Sequence, residues 1–167
     1  MKKIQETLKF SIFEVFEKMF YIFLEPLDEE NIGYDMEAGI RFDGCLKGEI
    51  RILLSKDMAE NMIQNMLGLE KDEITSQIIE DCTKEAANMI CGNFLGKYDS
   101  TKVFNLSIPT FVQGRSIRPV PKILKDKISE SGEMNITDIA TDEKDWCMDF
   151  GSDGGRVAVI IDTKGSV

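Results

Sequence analysis

The spacing of the apolar residues constrains this chain most, because it switches between the period of a helix and the period of a strand. Residues 2–24 carry apolar residues at intervals of four and three, on one face of a helix: Leu8, Ile12, Phe16, Phe20 and Phe23. Phe10, Phe13 and Met19 widen this face, and Pro26 is expected to end the helix. Such a wide face predicts a deeply buried helix or one that also contacts a second subunit.

Two strands and two further helices are predicted next. Residues 34–43 and 45–54 alternate apolar with polar side chains, as strands with one buried face do. Residues 56–68 fit a helix that Gly68 closes. Residues 73–96 fit a second long helix.

The second half of the chain predicts three more strands. Residues 103–113 are mostly uncharged and predict a buried strand, in which Pro109 requires an edge position, a bulge or a break. Residues 114–132 hold most of the irregular sequence. Residues 143–150 and 156–162 predict two strands joined by a glycine-rich turn.

A faint internal repeat links the two halves. The stretch 48–55 resembles the stretch 155–162, and each ends a block that opens with a long helix. Alternating strands resemble one another by default, so the residues alone leave open whether the chain is duplicated. Because no linker or low-complexity segment interrupts the sequence, we predict a single α+β domain over residues 1–167, with an antiparallel sheet packed by long helices.

The composition excludes several kinds of chemistry. There is no histidine, which excludes His-based nucleophile systems and His-ligated metals. The net charge of -10 argues against binding to nucleic acid or to an anionic membrane. The cysteines are not spaced as a zinc or redox motif, so we expect reduced thiols and no metal site: Cys45, Cys82, Cys91 and Cys147. Charged residues interrupt every apolar stretch before it reaches the roughly 18 residues of a membrane helix, so we expect a cytoplasmic protein.

Two stripes run along the predicted helix of residues 73–96. The apolar stripe is expected to be core: Ile78, Cys82, Ala86, Met89 and Ile90. The polar stripe lies about 120° round the helix; it consists of Asp81, Glu85, Asn88 and Gly92. Asp81 and Glu85 are like charges one turn apart, so this stripe does not serve helix stability. Taken alone, such a pattern is most often a solvated helix face.

The polar stripe resembles the active-site signature of the CheC/CheX/FliY family of bacterial chemotaxis proteins. In that signature an Asp or Ser is followed after three intervening residues by Glu, after two more by Asn, and then by Gly near the end of the helix. The polar stripe has this order and spacing. The segment 106–110, followed by Gly114, resembles the Ser-Leu-Pro-Thr strand that the family places after this helix. The resemblance extends over about residues 8–162.

One departure from the family concerns the number of sites. CheC and FliY carry the Glu-x-x-Asn motif twice, whereas the first helix here offers Glu14, Glu17 and Lys18 but no asparagine. The chain therefore resembles the CheX branch, and one site per chain is predicted.

The resemblance implies a pseudo-duplicated helix-plus-strands unit that dephosphorylates a CheY-type response regulator. Asn88 would position the water that attacks the aspartyl phosphate, and Glu85 would pair with the regulator's active-site lysine. Asp81 and Gly92 would contact the regulator. The regulator would supply Mg²⁺, so no cofactor of the chain's own is expected. The CheX branch also implies a homodimer.

Two other functions are alternatives to the phosphatase. A non-catalytic binding module of the same fold would dock a response regulator or a flagellar-switch component without hydrolysis. A small-molecule sensor would need a phosphate-binding loop or a convergent set of polar residues, and the sequence shows neither. The intact pair Glu85 and Asn88 favours the enzyme.

Overall fold

A computed structural model describes residues 2–28, 33–117 and 145–164. The α-helices within these residues are α1 (Lys2–Phe20), α2 (Lys56–Leu67) and α3 (Ser76–Tyr98), and a 3₁₀ turn at Lys71–Glu73 precedes α3. The strands are β1 (Glu25–Pro26), β2 (Tyr34–Asp43), β3 (Lys47–Leu54), β4 (Asn105–Leu106), β5 (Thr110–Ile117), β6 (Asp145–Ser152) and β7 (Gly155–Lys164).

The strands form one antiparallel sheet in the order β1-β6-β7-β3-β2-β4, and β5 follows β4 along the same edge of β2. This confirms the predicted α+β class. The two halves of the sheet are equivalent: β1 corresponds to β4, β6 to β2, and β7 to β3. The strand order is therefore the same when it is read from either end of the sheet. Ile52 and Val159, which the repeat makes equivalent, lie opposite each other where β3 pairs with β7. The topology therefore supports the duplication that the residues alone left open.

The hydrophobic core lies between one face of this sheet and the three helices. Alternate residues of the central strands are fully buried on that face: Met36, Ala38, Ile40, Ile50, Ile52, Leu54, Val157, Val159 and Ile161. The α1 residues predicted to share a face are buried against them, except for Phe23. The residues that alternate in the strands and the residues that share one face of α1 thus pack together in one hydrophobic cluster.

The end of α1 differs from the prediction, because the helix ends at Phe20 rather than continuing to residue 24. Tyr21 adopts the left-handed region with φ 54°, and the amide of Ile22 donates to the carbonyl of Phe16 at 3.0 Å, which closes the helix. The side-chain amide of Asn65 caps the carbonyl of Phe20 at 2.9 Å. The chain then turns away, and Phe23 is 72% exposed instead of buried.

The residues predicted to widen the apolar face of α1 separate into two groups. Phe13 is half-buried and packs edge-on against Phe150, with ring centroids 5.2 Å apart. Phe10 is 59% exposed and Met19 is 44% exposed, so they lie outside the core of this chain. Met19 lies nine positions after Phe10, so their side chains lie about 180° apart on the helix and do not extend one common apolar face.

The predicted buried strand over residues 103–113 is wrong. Two strands replace it, β4 and β5, and Pro109 lies in the break between them. Both pair with β2 and form the edge of the sheet, where one flank of each strand lacks a neighbour in the described part of the sheet. The break and the edge position are two of the alternatives that Pro109 predicted. Val103 and Ile108 are consequently exposed although they are apolar. Of the predicted irregular stretch, residues 114–117 belong to β5 and residues 118–132 lie outside the described residues.

The remaining elements follow the predictions with small shifts. The side chain of Ser55 accepts a hydrogen bond from the amide of Met58, and Gly68 ends α2 with φ 67°. The last two strands form a hairpin whose turn residues, Asp153 and Gly154, both have positive φ. Across the described ranges, every helix is too short or too polar to span a membrane.

Candidate active site

Helix α3 carries the predicted site and is fixed at its start by Thr75, whose hydroxyl accepts from the amide of Ile78 at 3.2 Å. Its buried face is broader than the predicted apolar stripe: Ile79, Cys82, Thr83, Ala86, Ala87, Ile90, Cys91, Phe94 and Leu95. Ile78 and Met89, which were predicted to be core, are half-buried at its margin. Most buried side chains near the middle of α3 are small, so the helix backbone lies close to the sheet.

The polar stripe lies almost opposite this buried face, roughly 170° round the helix at 100° per residue. Asp81, Glu85 and Gly92 are exposed, and Asn88 is half-exposed. The predicted angle of about 120° was too small because Thr83 and Ala87 extend the buried face away from the stripe. The prediction that the four residues share an outward face agrees with the structure.

The side chains of Glu85 and Asn88 are available for a partner. Among the described residues, neither side chain has a hydrogen-bond or ion-pair partner, whereas Asp81 accepts from the side-chain amide of Gln77 at 2.9 Å. Glu85 lies near Cys82, and burial, with a smaller contribution from the Glu85 carboxylate, raises the pKa of that thiol to about 11. Cys82 is therefore a protonated core residue and not a nucleophile.

The end of the polar stripe is open. A Cβ atom added at Gly92 would meet no atom of the described chain within 4 Å, and the same holds at Gly96 one turn later. Neither glycine has a positive φ. Packing and backbone geometry within the chain therefore do not require glycine at either position, although each glycine weakens the helix by about 1 kcal/mol relative to alanine.

The segment 106–110 supports the sheet edge. The hydroxyl of Ser107 accepts from the amide of Arg41, and the amide of Ser107 donates to the carbonyl of Arg41, both at 2.9 Å. Thr110 donates to the carbonyl of Gly39 at 3.4 Å. These contacts attach the break between β4 and β5 to β2, so the segment has a structural role in the described chain.

Helix α1 is the counterpart of α3 in the first half, and its glutamate is already engaged. The Glu14 carboxylate contacts Lys18 at 2.6 Å, Lys97 at 2.7 Å and the side-chain amide of Asn93 at 3.0 Å. These donors lower the pKa of Glu14 to about 2. Unlike Glu85, Glu14 therefore joins α1 to α3. None of these contacts was predicted from the sequence. The spacing of four residues between Glu14 and Lys18 could have indicated the first one, whereas nothing in the sequence indicated Asn93 and Lys97.

The polar stripe is an exposed helix face. Two clefts of about 500 Å³ are lined by other residues, one beside β4 and one between the end of α1, α2 and the β6–β7 turn. The described residues include no group of three or more carboxylates and cysteines close enough to hold a metal ion. An exposed helix face with a free carboxylate and a free amide can contact a macromolecule.

Comparisons with known proteins address the same region. The sequence profile of the family described as chemotaxis phosphatase CheX matches residues 36–127, which include all four residues of the polar stripe. No curated protein sequence matches the chain.

Several solved structures share the fold. The chain is similar to chemotaxis protein CheX from Vibrio vulnificus, with a TM-score of 0.70 and 20% identity over 96% of each chain. A CheC-like superfamily protein from Shewanella sp. PV-4 gives a TM-score of 0.70 and 20% identity over 98% of each chain. The CheX–CheY–BeF3–Mg²⁺ complex from Borrelia burgdorferi gives a TM-score of 0.65 and 19% identity over 96% of this chain and 97% of that chain.

Proposed function

Because the chain belongs to the CheX family of chemotaxis phosphatases, we propose that it hydrolyses the aspartyl phosphate of a CheY-type response regulator. The observation that carries this proposal is the exposed pair Glu85 and Asn88, one turn apart on α3 and without partners among the described residues. The Borrelia complex supports the choice of substrate, because it contains CheY together with BeF3 and Mg²⁺.

Asn88 is proposed to position the attacking water. An aspartyl phosphate is already prone to hydrolysis, so its phosphatase needs mainly to align water with the P–O bond that breaks. A side-chain amide both donates and accepts hydrogen bonds and carries no charge that would repel the phosphate. Asn88 stands on an exposed helix face from which it can enter a pocket of the regulator.

Glu85 is proposed to pair with the active-site lysine of the regulator. A carboxylate repels phosphate but binds an ammonium group strongly, so this contact would fix the register of docking and not the water. Because no described residue holds Glu85, forming the contact does not require breaking another.

Asp81 and Gly92 are proposed to contact the regulator on either side of this pair. Asp81 would lie at the rim, where its bond to Gln77 holds it in place. Gly92 would allow the regulator's backbone to approach the helix. A methyl group there would meet no described atom within 4 Å, so a close approach by the regulator would give this glycine a function despite its cost to the helix.

The regulator is proposed to bring the Mg²⁺ ion, lysine and threonine that surround its own phosphoryl group, and the chain then needs no cofactor. We also propose that the chain acts in the cytoplasm, together with this substrate. We further propose a homodimer, for which the exposed ring of Phe10 on the outer side of α1 offers contact surface.

A non-catalytic module that only docks a regulator is the second candidate, and the unpartnered helix face is compatible with it. Phosphate release distinguishes the two. A phosphorylated CheY-type regulator is incubated with and without the chain, and binding to a BeF3–Mg²⁺-loaded regulator is measured in parallel. The phosphatase predicts accelerated phosphate release, whereas binding with an unchanged release rate would establish the docking module.

A further inference from the structure

A second surface, away from the polar stripe, has the chemistry of a binding site. The cleft of about 500 Å³ between the end of α1, α2 and the β6–β7 turn is called the turn cleft here. The side chains that matter to its chemistry are two aromatic rings, two carboxylates, an amide and a hydroxyl: Tyr21, Phe23, Glu25, Asp153, Asn61 and Ser152. Its volume falls in the range of roughly 300–1,000 Å³ that is typical of ligand sites.

The aromatic rings of the turn cleft face solvent. Tyr21 is 70% exposed and Phe23 is 72% exposed, so neither contributes to the core. Tyr21 also occupies the left-handed position that closes α1, where glycine is strongly favoured and a bulky residue is disfavoured. Helix closure and burial therefore do not explain an aromatic residue at this position.

The charges of the turn cleft have one sign. Glu25 and Asp153 contribute carboxylates, and the described residues that line the cleft include no lysine or arginine. Arg156 lines an adjoining cleft with both carboxylates, but its guanidinium group donates to the carbonyl of Gly33 at 3.2 Å and lies over the ring of Tyr34. Aromatic faces attract cations through their quadrupole, and carboxylates pair with them directly. Both features select a cation, and both disfavour an anionic or purely apolar ligand.

We propose that the turn cleft binds an arginine side chain on a segment of a partner protein. The planar guanidinium group can stack on Tyr21 or Phe23 while its edge donates to Glu25 or Asp153. A lysine ammonium can make the ionic contact but cannot stack in this way. The site is separate from the Glu85–Asn88 pair, so it does not depend on the proposed phosphatase activity.

The test uses the full chain and the peptide Ac-Gly-Arg-Gly-NH2, followed by amide NMR shifts. A single guanidinium group in an open cleft should bind with a Kd on the order of 1 mM. The shifts should saturate and centre on Tyr21, Phe23 and Asp153, and added salt should weaken them. The matched peptide with citrulline, which keeps the shape but loses the charge, should cause no saturable shift.

Two variants keep the fold intact. Asp153→Asn removes one charge but suits the same turn, and it should weaken binding about two- to fivefold. Tyr21→Gly should weaken binding by a similar factor of about two to five while raising the melting temperature, because glycine adopts the left-handed position freely. Val112→Ala shortens an exposed apolar side chain on β5 and should leave binding unchanged.

Three results would overturn the proposal. The first is binding of the citrulline peptide as strong as that of the arginine peptide. The second is an unchanged Kd in both Asp153→Asn and Tyr21→Gly. The third is movement of the same amide signals with protein concentration alone, which would assign the turn cleft to a second copy of the chain.

Discussion

Replacing Gly92 by alanine should stabilise the protein and impair its activity. An added Cβ atom meets nothing within 4 Å, so the substitution creates no clash inside the described chain. Alanine is favoured over glycine in a helix interior by about 0.8–1.0 kcal/mol. For a chain of 167 residues, this gain corresponds to a rise in melting temperature of about 2–4 °C.

The same methyl group should obstruct docking. Gly92 lies about 6 Å along the helix axis from Asn88, within the reach of one regulator surface. Displacing that surface by about 1 Å is enough to misalign the water, so kcat/KM should fall roughly ten- to a hundredfold. The assays are a thermal melt and phosphate release from a phosphorylated regulator under subsaturating conditions.

Gly96 provides the matched control, since an added Cβ atom is equally free there. Gly96→Ala should raise the melting temperature by the same amount, but it lies about 12 Å from Asn88 and should affect kcat/KM much less. If Gly92→Ala melted higher and kept the parent kcat/KM, the proposed close approach of the regulator at this turn would be wrong. A lower melting temperature would contradict the open space around Gly92.

Three further predictions follow from the site and its surroundings. Glu85→Gln should raise the KM for the phosphorylated regulator about ten- to a hundredfold, because it removes one charged hydrogen bond, whereas Asn88→Ala should mainly lower kcat. A collapse of kcat with unchanged KM in Glu85→Gln would contradict the roles assigned to the two residues. Light scattering at micromolar concentration should give twice the chain mass of 18.9 kDa, and a monomer mass would refute the dimer. Because the pKa of Glu14 is lowered from 4.5 to about 2, its contacts stabilise the fold above pH 4.5 and this contribution is lost as the pH falls towards 2; urea midpoints at pH 5 and pH 3 should therefore differ less in Glu14→Gln than in the parent, and an equal difference would contradict the network.

Much of the fold could be predicted because local patterns and tertiary packing agree. The residues that the alternation in β2 and β3 indicated as core are buried. The alternation did not indicate Arg51 and Leu53, which are buried as well; Leu53 belongs to a second, smaller cluster with Ala158 and Ile160. Helix α2 has a serine at its start and a glycine at its end, and both act as caps. Where the sequence pattern of an element and the packing of the core favour the same residues, the pattern is enough to predict the element.

The two wrong predictions, for residues 103–113 and for the end of α1, have the same cause: both depend on where a residue lies in the folded chain. The uncharged stretch of residues 103–113 resembles a buried strand, but its place at the sheet edge exposes Val103 and Ile108. Spacing also extended α1 to Phe23, because the sequence does not show that Tyr21 takes the left-handed position usually held by glycine. Neither edge position nor a left-handed non-glycine residue has a periodic signal.

The placement of the polar stripe was predicted more completely than the contacts that join helix α3 to helix α1. The positions of Asp81, Glu85, Asn88 and Gly92 on one outward face follow from helix geometry alone. The contact of Glu14 with Asn93 joins residues 79 positions apart, and only the packing of α1 on α3 brings them together. Such long-range polar contacts leave no trace in local spacing.

Phosphate release with Asn88→Ala tests the central proposal most directly. The parent and the variant are each added to a phosphorylated CheY-type regulator, and binding to the BeF3–Mg²⁺-loaded regulator is measured on the same samples. Because Asn88 lies outside the core, the variant should fold normally and bind the regulator while losing the stimulation of phosphate release. Equal stimulation by the variant and the parent would contradict the proposal that Asn88 positions the attacking water.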